Sequence, residues 1–593
     1  MTFNILQNIV IPNLEFGAPD EMYARFENDK VRTSFEERKL IFKDGGRVSF
    51  DTFFNSMTIG IWKKHTKLND LYFILKGRGQ FAIKFGLHRI GHAHKWLQAQ
   101  TIDLKDGDDF SIQLENWAKI ESGMLYFSIE AIGSADFNGG YFATTTEPKN
   151  VVKLGVVITH FNRKSYVLPA IERIKAELLE DPKYKEKIEL VVVDNSQNIT
   201  HEESQGITLI PNKNLGGAGG FTRGLLYLKD SGDFTHCLFM DDDASCEIES
   251  ICRTYSLLSY EQTDRFAVAG SLLREIEPYR LFEKGACFDG VCRPLKSGLD
   301  MRHIGDLLFA ELADKKPNYG GWWFFSFALM DVNEYAFPFF VRGDDSRFSI
   351  ANNFELCTMN GIGCWGDDFA LKAGPLTSYL DARYHILHAI ALFDKSRFST
   401  LKIALKLVII QLFSYNYSSA KACRLAMQHV MMGPEFFINN LDTNVIRKEI
   451  ATFSENEKLQ PIDRENYNVV YASFNNSRIS TFIRWISLNG FLLPNFMLRK
   501  GIVFQHKGFR GILREIYRYR QVFYEYEPLG IGYIAEYDRK KFFGELCIFS
   551  ISAIKFLYNF NKLKNDYKNE IPKMTNEQFW RDAYSSNQVD SYK

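Results

Sequence analysis

Apolar residues follow two rhythms along this chain. Over the first 149 residues they tend to alternate with polar ones in short runs, as in DLYFILKGRGQFAIKFG and GMLYFSIEAIG, with turns between. Alternation sends one face of each segment to a core and the other to water. Strands at this spacing, without intervening helical patterns, predict a jelly-roll-like β-sandwich over 1–149. TTTEPKN at 144–150 reads as an exit linker. The rhythm then changes. KLGVVITHF, IELVVVDNS and HCLFMDDD are continuous apolar runs, as buried parallel strands require, and LPAIERIKAELLE between the first two has helical periodicity. Strand, helix, strand with polar residues at the strand ends predicts an open, doubly wound, mostly parallel sheet over 150–395. Ligands of such a sheet bind beyond the carboxyl ends of its strands. From 396 to 593 the pattern is mainly helical, with several amphipathic, basic stretches. One of them, GELCIFSISAIKFLYNFNKLK at 544–564, reads as a packing helix rather than one lying on a membrane.

Length and composition narrow the class. At 593 residues the chain exceeds what one core supports, and 46% apolar with 15% aromatic residues is the make-up of an ordered, multidomain α/β protein. Lysine plus arginine balance aspartate plus glutamate at 72 each, so no whole-chain charge draws nucleic acid and any electrostatic function is local. Nine cysteines are scattered without a C-x-x-C pair, against both a zinc site and a disulfide framework. The opening MTFNILQNIVIPNLEF lacks a basic n-region and reads as no signal peptide, and no run approaches the ~20 apolar residues of a membrane span. The expected setting is a reducing, cytoplasmic one.

Against that background FMDDDASC at 239–246 stands out. Asp241, Asp242 and Asp243 repel one another at the end of a predicted strand. Hard divalent cations take oxygen ligands, and Mg2+ or Mn2+ often binds one or two carboxylates plus substrate phosphates. In such a D-x-D the outer pair, Asp241 and Asp243, can converge on one ion. Helix capping accounts for one acid, Asp243, but not for three. The other strand ends carry THFNR at 159–163 and VDNS at 193–196. Asp194 suits hydrogen bonds from a uracil or ribose, and Arg163 suits a pyrophosphate, although Asp-Asn after a strand is also ordinary turn chemistry. PNKNLGGAGGFTRG at 211–224 has four glycines in five positions, whose N–H groups can serve an anion. It is neither a P-loop nor the dinucleotide fingerprint. Its position between the VDNS strand and the DDD strand is the specific feature.

Together VVITHFNR, VVVDNS, NLGGAGGFTRG and FMDDD resemble the GT-A glycosyltransferases of family 2. The NLGG-x-GGF-x-RG form is similar to the polymerising galactofuranosyltransferases of bacteria. Their layout of N-terminal β-sandwich, central Rossmann-like GT-A domain and helical C-terminal domain covers most of the chain. The resemblance implies that Asp241 and Asp243 hold Mn2+ or Mg2+ against a donor diphosphate, with Asp242 facing the sugar or ribose. It also implies that Thr159, Arg163, Asp194, Asn214, Gly216, Gly217 and Arg223 line the nucleotide-sugar site.

An inverting transfer also needs a carboxylate to take the acceptor hydroxyl's proton. FFVRGDDSRF at 339–348 resembles the family segment whose second acid is that base, which selects Asp345, with Asp344 positioning it or contacting the acceptor. Adjacent acids push one pKa toward neutrality, as a base requires; a solvated loop pair is the bland alternative. GGWWFFSF at 320–327 offers Trp322 and Trp323 for stacking on sugar faces, and Glu283 in FEKGACFDG is a further acceptor-site candidate. One departure stands out. Related enzymes carry a Trp-His pair whose histidine completes the metal site, whereas GIGCWGDDF puts Gly366 after Trp365. Asp367, Asp368, His385, His388 or water are the alternatives for that ligand.

The resulting expectation is an inverting UDP-sugar-dependent hexosyltransferase, using UDP-galactofuranose to extend a surface glycan of the cell envelope. Its partners would be the donor and a lipid-linked or oligosaccharide acceptor, with no nucleic acid. Peripheral contact with the inner face of the plasma membrane and homo-oligomerisation are compatible with it. The rivals are the same fold with a rhamnosyl or hexopyranosyl donor, and a decayed glycan-binding homologue, which Gly366 favours and the retained DDD and GDD oppose.

Overall fold

The computed structural model describes residues 2–105, 109–472 and 477–585. Its N-terminal part is built on two long strands, β1 (Tyr72–His88) and β2 (Met124–Thr144), which pair antiparallel along most of their length. Eight shorter strands join them in a continuous ten-stranded sheet. The inward positions converge on phenylalanines: the Phe127 ring lies 4.3 Å from both Phe50 and Phe73. Asn8 and Tyr23 tie this part to the next, hydrogen bonding to Glu249 and Glu247.

The central sheet begins with four parallel strands, β3 (Leu154–His160), β4 (Ile188–Asp194), β5 (Thr208–Pro211) and β6 (His236–Asp241), in the order β5-β4-β3-β6. Their nearly all-apolar sequences are buried because helices cover them; α1 (Lys164–Ile174) follows β3 and α2 (Gly216–Ser231) precedes β6. The sheet then turns mixed. Phe325–Ala328 runs antiparallel to β6 and to Phe266–Ala269, and Glu355–Cys357 closes the edge. This is the doubly wound arrangement that the run of apolar strands predicted, with one reversed strand. A separate three-stranded sheet, Glu277–Glu283, Ser271–Arg274 and Gly363–Gly366, lies beside it. Two short helices, α3 (Asp344–Ala351) and α4 (Phe369–Lys372), project from the loops over the strand ends.

Helices dominate the remainder. α5 (Pro375–Ala391) and α6 (Arg397–Phe413) lead into it, and Ser396 caps α6 by accepting from Ser399 N. Nine-residue α7 (Arg478–Ile486) and 36-residue α8 (Arg539–Met574) follow, the latter capped by Asp538. Along α8, Phe542, Phe549, Phe556, Phe560, Leu563 and Tyr567 recur at helical spacing and are buried, so one face of 544–564 packs into the protein, while Ile548, Ile551, Ile554 and Tyr558 on the remainder are exposed. By length and composition alone α8 also passes as a membrane span, against the expectation that no run approaches one. Nor did that expectation include the five-stranded sheet formed between α6 and α8 along the chain, with Arg499–His506, Tyr519–Tyr526 and Ile531–Glu536 at its centre. The last helix, α9 (Glu577–Ser585), returns to the central domain, where Trp580 donates to Ala336 O and Tyr584 donates to Gly219 O of α2.

Candidate active site

Parallel register sets His160 beside Asp194 and Thr159 beside Asp241, so the polar residues after β3, β4 and β6 share one edge. A reciprocal pair of backbone hydrogen bonds between Ser245 and Trp365 brings the 366–368 turn against the aspartates.

The three aspartates then diverge. Asp243 is gripped by Arg163 and by Lys372, whose Nζ lies 2.9 Å away. Both cations also reach Asp367, at 3.6 and 3.4 Å. Burial pushes the Asp243 carboxyl up, but Lys372 and Arg163 outweigh it and hold it below the usual range. Asp242 turns back toward β3, accepting from Phe161 N at 3.1 Å and lying 3.3 Å from His160 Nδ1. Its tether directs it to the strand end. Asp241 makes no ion pair among the described residues, and burial, with Asp243 and Asp242 nearby, pushes it up to about 7. The uncompensated charge of the cluster is therefore at Asp241.

This donor set fits a hard divalent ion. All its ligands are oxygens, and a cation before Asp241 removes the repulsion that now favours its proton. Among the described residues no three His, Cys, Asp or Glu side chains form a ready cage. Diphosphate oxygens and water would have to complete the shell. Of the alternatives for the missing histidine, Asp367 alone stands at the cluster. Asp368 caps α4 and pairs with Arg274. His385 Nδ1 lies 2.7 Å from Asp381 O and His388 Nε2 lies 2.9 Å from Gly343 O, and both rings pack on Phe288.

The glycine-rich segment makes the opposite wall. Gly216 opens α2 with φ +70°, and a Cβ there would sit 2.1 Å from Phe340 O, so only glycine lets the two loops touch. Asn214 Oδ1 accepts from Gly216 N. Gly217 looks across at Asp344, with Oδ2 3.7 Å from where its Cβ would be. Thr159 packs against Gly220 of the same helix. Two expected nucleotide contacts lie elsewhere. Asp194 is 1% exposed and already accepts five hydrogen bonds, from the backbone of Ser196, Gln197, Asn198 and Ile199 and from the Ser196 hydroxyl. It holds the loop rather than facing a uracil. Arg223 stacks on Tyr584 of α9 at 5.2 Å, bracing α2 against the C-terminal helix instead of meeting a phosphate.

Across the aspartates, the 340–343 turn leads into α3. Phe340 and Arg342 both have left-handed backbone angles, φ +70° and +68°, at a cost of about 1–3 kcal/mol each. Ala218 N bonding Phe340 O, and Arg342 pairing with Asp381 at 2.9 Å, hold them there. The turn delivers two adjacent acids to different sides. Asp344 is buried beside Gly217, and burial and Asp345 push it well above the carboxylate range. Asp345 lines a cavity of about 550 Å³. Burial raises Asp345 to about 6, with Ser346 N and Arg342 opposing.

Glu283, Trp323, Tyr319, Arg342 and Tyr384 share that cavity. Glu283 is 2% exposed, its Oε1 has no partner, and burial with Asp345 nearby raises it to about 8. An unpartnered buried oxygen facing a cavity is a natural receptor for a hydroxyl. The tryptophans separate. Trp323 faces the cavity and donates to Gly270 O at 3.3 Å, whereas Trp322 is buried among Phe221, Phe239 and Phe348 and does not line it. Sequence reasoning missed Lys372, Tyr319 and Tyr384, none of which lies in a recognisable motif, and passed over Arg342 within FFVRGDDSRF.

Residues 155–279 match the model of glycosyl transferase family 2, so the strand ends, the glycine-rich helix and the aspartates belong to a family 2 glycosyltransferase domain of GT-A fold. The chain is galactofuranosyltransferase-like. Over 432 residues it is 22% identical to galactofuranosyltransferase GlfT2 of Mycolicibacterium smegmatis, covering 67% of this chain and 66% of the relative. Over 482 residues it is 21% identical to GlfT2 of Mycobacterium tuberculosis, covering 74% of each. The alignment thus spans just under two-thirds of the first relative's length. Among solved structures, a mannosyltransferase of Pyrobaculum calidifontis in complex with GDP-Man and Mn2+ covers 52% of this chain and 85% of its own. Its 16% identity and TM-score of 0.28 are too slight to bear on the site.

Proposed function

We propose that the chain is an inverting, metal-dependent galactofuranosyltransferase that moves galactofuranose from UDP-galactofuranose to a hydroxyl of a growing bacterial surface glycan. The observation that carries it is the division of labour at 344–345: Asp344 faces the glycine helix and aspartate cluster, and Asp345 faces the cavity. Donor and acceptor then meet across two consecutive residues. The similarity to the two mycobacterial relatives supports the choice of sugar.

Asp345 is ionised at neutral pH and accepts the acceptor hydroxyl's proton as the oxygen bonds to the anomeric carbon. The bond from that carbon to the diphosphate breaks on the opposite face, inverting the centre. Asp344 retains its proton, so it adds no second charge beside the base. Glu283, protonated at neutral pH, offers the acceptor a hydrogen bond, and Trp323 offers a ring face. Arg163 and Lys372 exchange part of their carboxylate contacts for the diphosphate. A divalent ion held by Asp241 and Asp243 would stabilise charge on the departing nucleotide.

The N-terminal β domain, 1–149, folds as a sandwich around its phenylalanine core. The GT-A domain spans 150–395 and the helical domain 396–593. The acceptor is a lipid-linked saccharide reached at the cytoplasmic face of the membrane, which the helical domain contacts peripherally. Purified protein offered UDP-galactofuranose, UDP-galactopyranose and a nucleotide-rhamnose in turn tests the donor. Turnover of the furanose alone is the expected result, and use of another donor without it rejects the assignment.

A further inference from the structure

A band of aromatic rings crosses the N-terminal β domain. In register, Gly86 of β1 lies between Tyr126 of β2 and Trp96 of the strand Lys95–Leu104. A Cβ at Gly86 would meet the Tyr126 ring at 2.5 Å, so glycine alone lets that ring lie across the strand toward Trp96. The two rings are 5.9 Å apart. His88 stacks on Tyr126 at 4.7 Å and 5°. His94 packs perpendicular to Trp96 at 4.6 Å, its Nε2 2.6 Å from the Tyr126 hydroxyl. Tyr126 is 4% exposed, whereas Trp96, resting on these rings, is 52% exposed. The sheet thus spends a side chain at Gly86 to support an indole that it leaves in solvent.

The band ends in polar groups at the catalytic domain. His88 Nε2 lies 3.2 Å from Asp51, Asp51 pairs with Arg25 at 3.2 Å, and Arg25 donates to Arg302 O at 2.6 Å. Arg302 stacks on Tyr279 at 3.7 Å. Tyr279 shares the strand Glu277–Glu283 with Glu283 of the acceptor cavity, about 14 Å further along at the usual strand rise. The chemistry of the band suits a saccharide. An aromatic face takes the C–H side of a sugar ring, while Lys84, 5.8 Å from the Trp96 centroid, and His94 offer hydrogen bonds to hydroxyls. The arginines are matched, Arg47 with Glu130 and Arg25 with Asp51, which favours a neutral chain over an anionic one. Trp96 and Ile90 are the large apolar side chains exposed here, too small an area for a stable protein interface.

We infer that this band is a glycan-binding surface that holds the acceptor chain several sugars back from its reacting end. One sugar ring stacks on Trp96, and the chain runs past His94, His88 and Arg302 toward the cavity where Glu283 and Asp345 receive its terminus. A long acceptor touches both places and a short one only the cavity, so the band adds affinity in proportion to chain length. The inference deepens the transferase reading and rests on it for the identity of the chain.

Calorimetry of the full chain with a galactofuranose disaccharide and with a long galactofuranose oligosaccharide, both without donor, tests it. The wild type should bind the long chain about tenfold more tightly than the disaccharide. W96A, at a half-exposed position, should keep its melting temperature and its disaccharide affinity but bind the long chain about tenfold more weakly. W96F, which retains a ring face, should recover most of that loss. F35A removes an exposed ring in the turn between the strands Val31–Ser34 and Lys39–Phe42 and should bind as the wild type does. In transfer assays W96A should raise KM for the long acceptor about tenfold and leave kcat and the disaccharide KM unchanged. Equal affinity of the wild type for both saccharides, unchanged long-chain binding in W96A, equal losses for both saccharides, or a dimer that W96A dissociates without change in saccharide binding overturns the proposal. Trp96-dependent binding of the long chain with no sugar transfer would count against the transferase reading alone.

Discussion

The two acids of the cavity predict a bell-shaped pH profile and the residue behind each limb. The reactive form needs Asp345 ionised and Glu283 protonated. With Asp345 raised to about 6 and Glu283 to about 8, that form is about 0.8 of the enzyme at pH 7. It falls to about 0.1 at pH 5, where Asp345 holds a proton, and to about 0.1 at pH 9, where Glu283 has lost its own. Glu283→Gln keeps a neutral donor and removes the titration. Its kcat/KM at pH 7 should stay within about threefold of the wild type, and its value at pH 9 should rise to that plateau. The acid limb should remain. Asp345→Asn should lose about 10²–10⁴-fold at every pH, the contribution of a positioned base. Initial rates of UDP release, measured from pH 5 to 9 at saturating Mn2+ so that Asp241 stays ionised, provide the assay. A wild-type profile flat between pH 5 and 7, or an alkaline limb that survives Glu283→Gln, refutes the reasoning.

Other perturbations separate the remaining roles. Asp241→Ala should abolish Mn2+-dependent transfer and weaken Mn2+ binding by about tenfold or more in calorimetry, because it removes the carboxylate of the cluster that makes no ion pair among the described residues. Lys372→Ala removes one of the two cations on Asp243 and Asp367. It should weaken UDP binding about tenfold and tighten Mn2+ binding in the absence of nucleotide; unchanged values for both would remove Lys372 from the site. Trp322→Ala should cost about 3–5 kcal/mol of stability, seen as a lower melting temperature, whereas Trp323→Ala, at a half-buried position, should lower melting less and raise the acceptor KM.

Continuous apolar runs made β3, β4 and β6 legible in the sequence, because strands covered on both sides admit no polar positions. The strands near 499–536 were not legible: KGIVFQH and IGYIAE are short, lie among helices, and have no run of their own. At the site, the aspartates and the glycine-rich turn could be read because each defies ordinary composition. Asp194 and Arg223 looked equally apt by spacing, and only three-dimensional contacts showed that the first is consumed by five donors and the second by Tyr584. Trp322 and Trp323, adjacent in sequence, point to different environments, core and cavity. Lys372 escaped notice because a lone lysine in FALK carries no pattern; its importance comes from the turn after Gly366 that folds it onto Asp243.

The most direct measurement is a crystal structure with UDP and Mn2+ bound. Density for one ion touching the Asp241 and Asp243 carboxylates and the diphosphate, with Lys372 drawn off Asp243 toward a phosphate oxygen, is the predicted outcome. Nucleotide bound elsewhere, with Arg163 and Lys372 still clasping Asp243 and no ion beside Asp241, would contradict it.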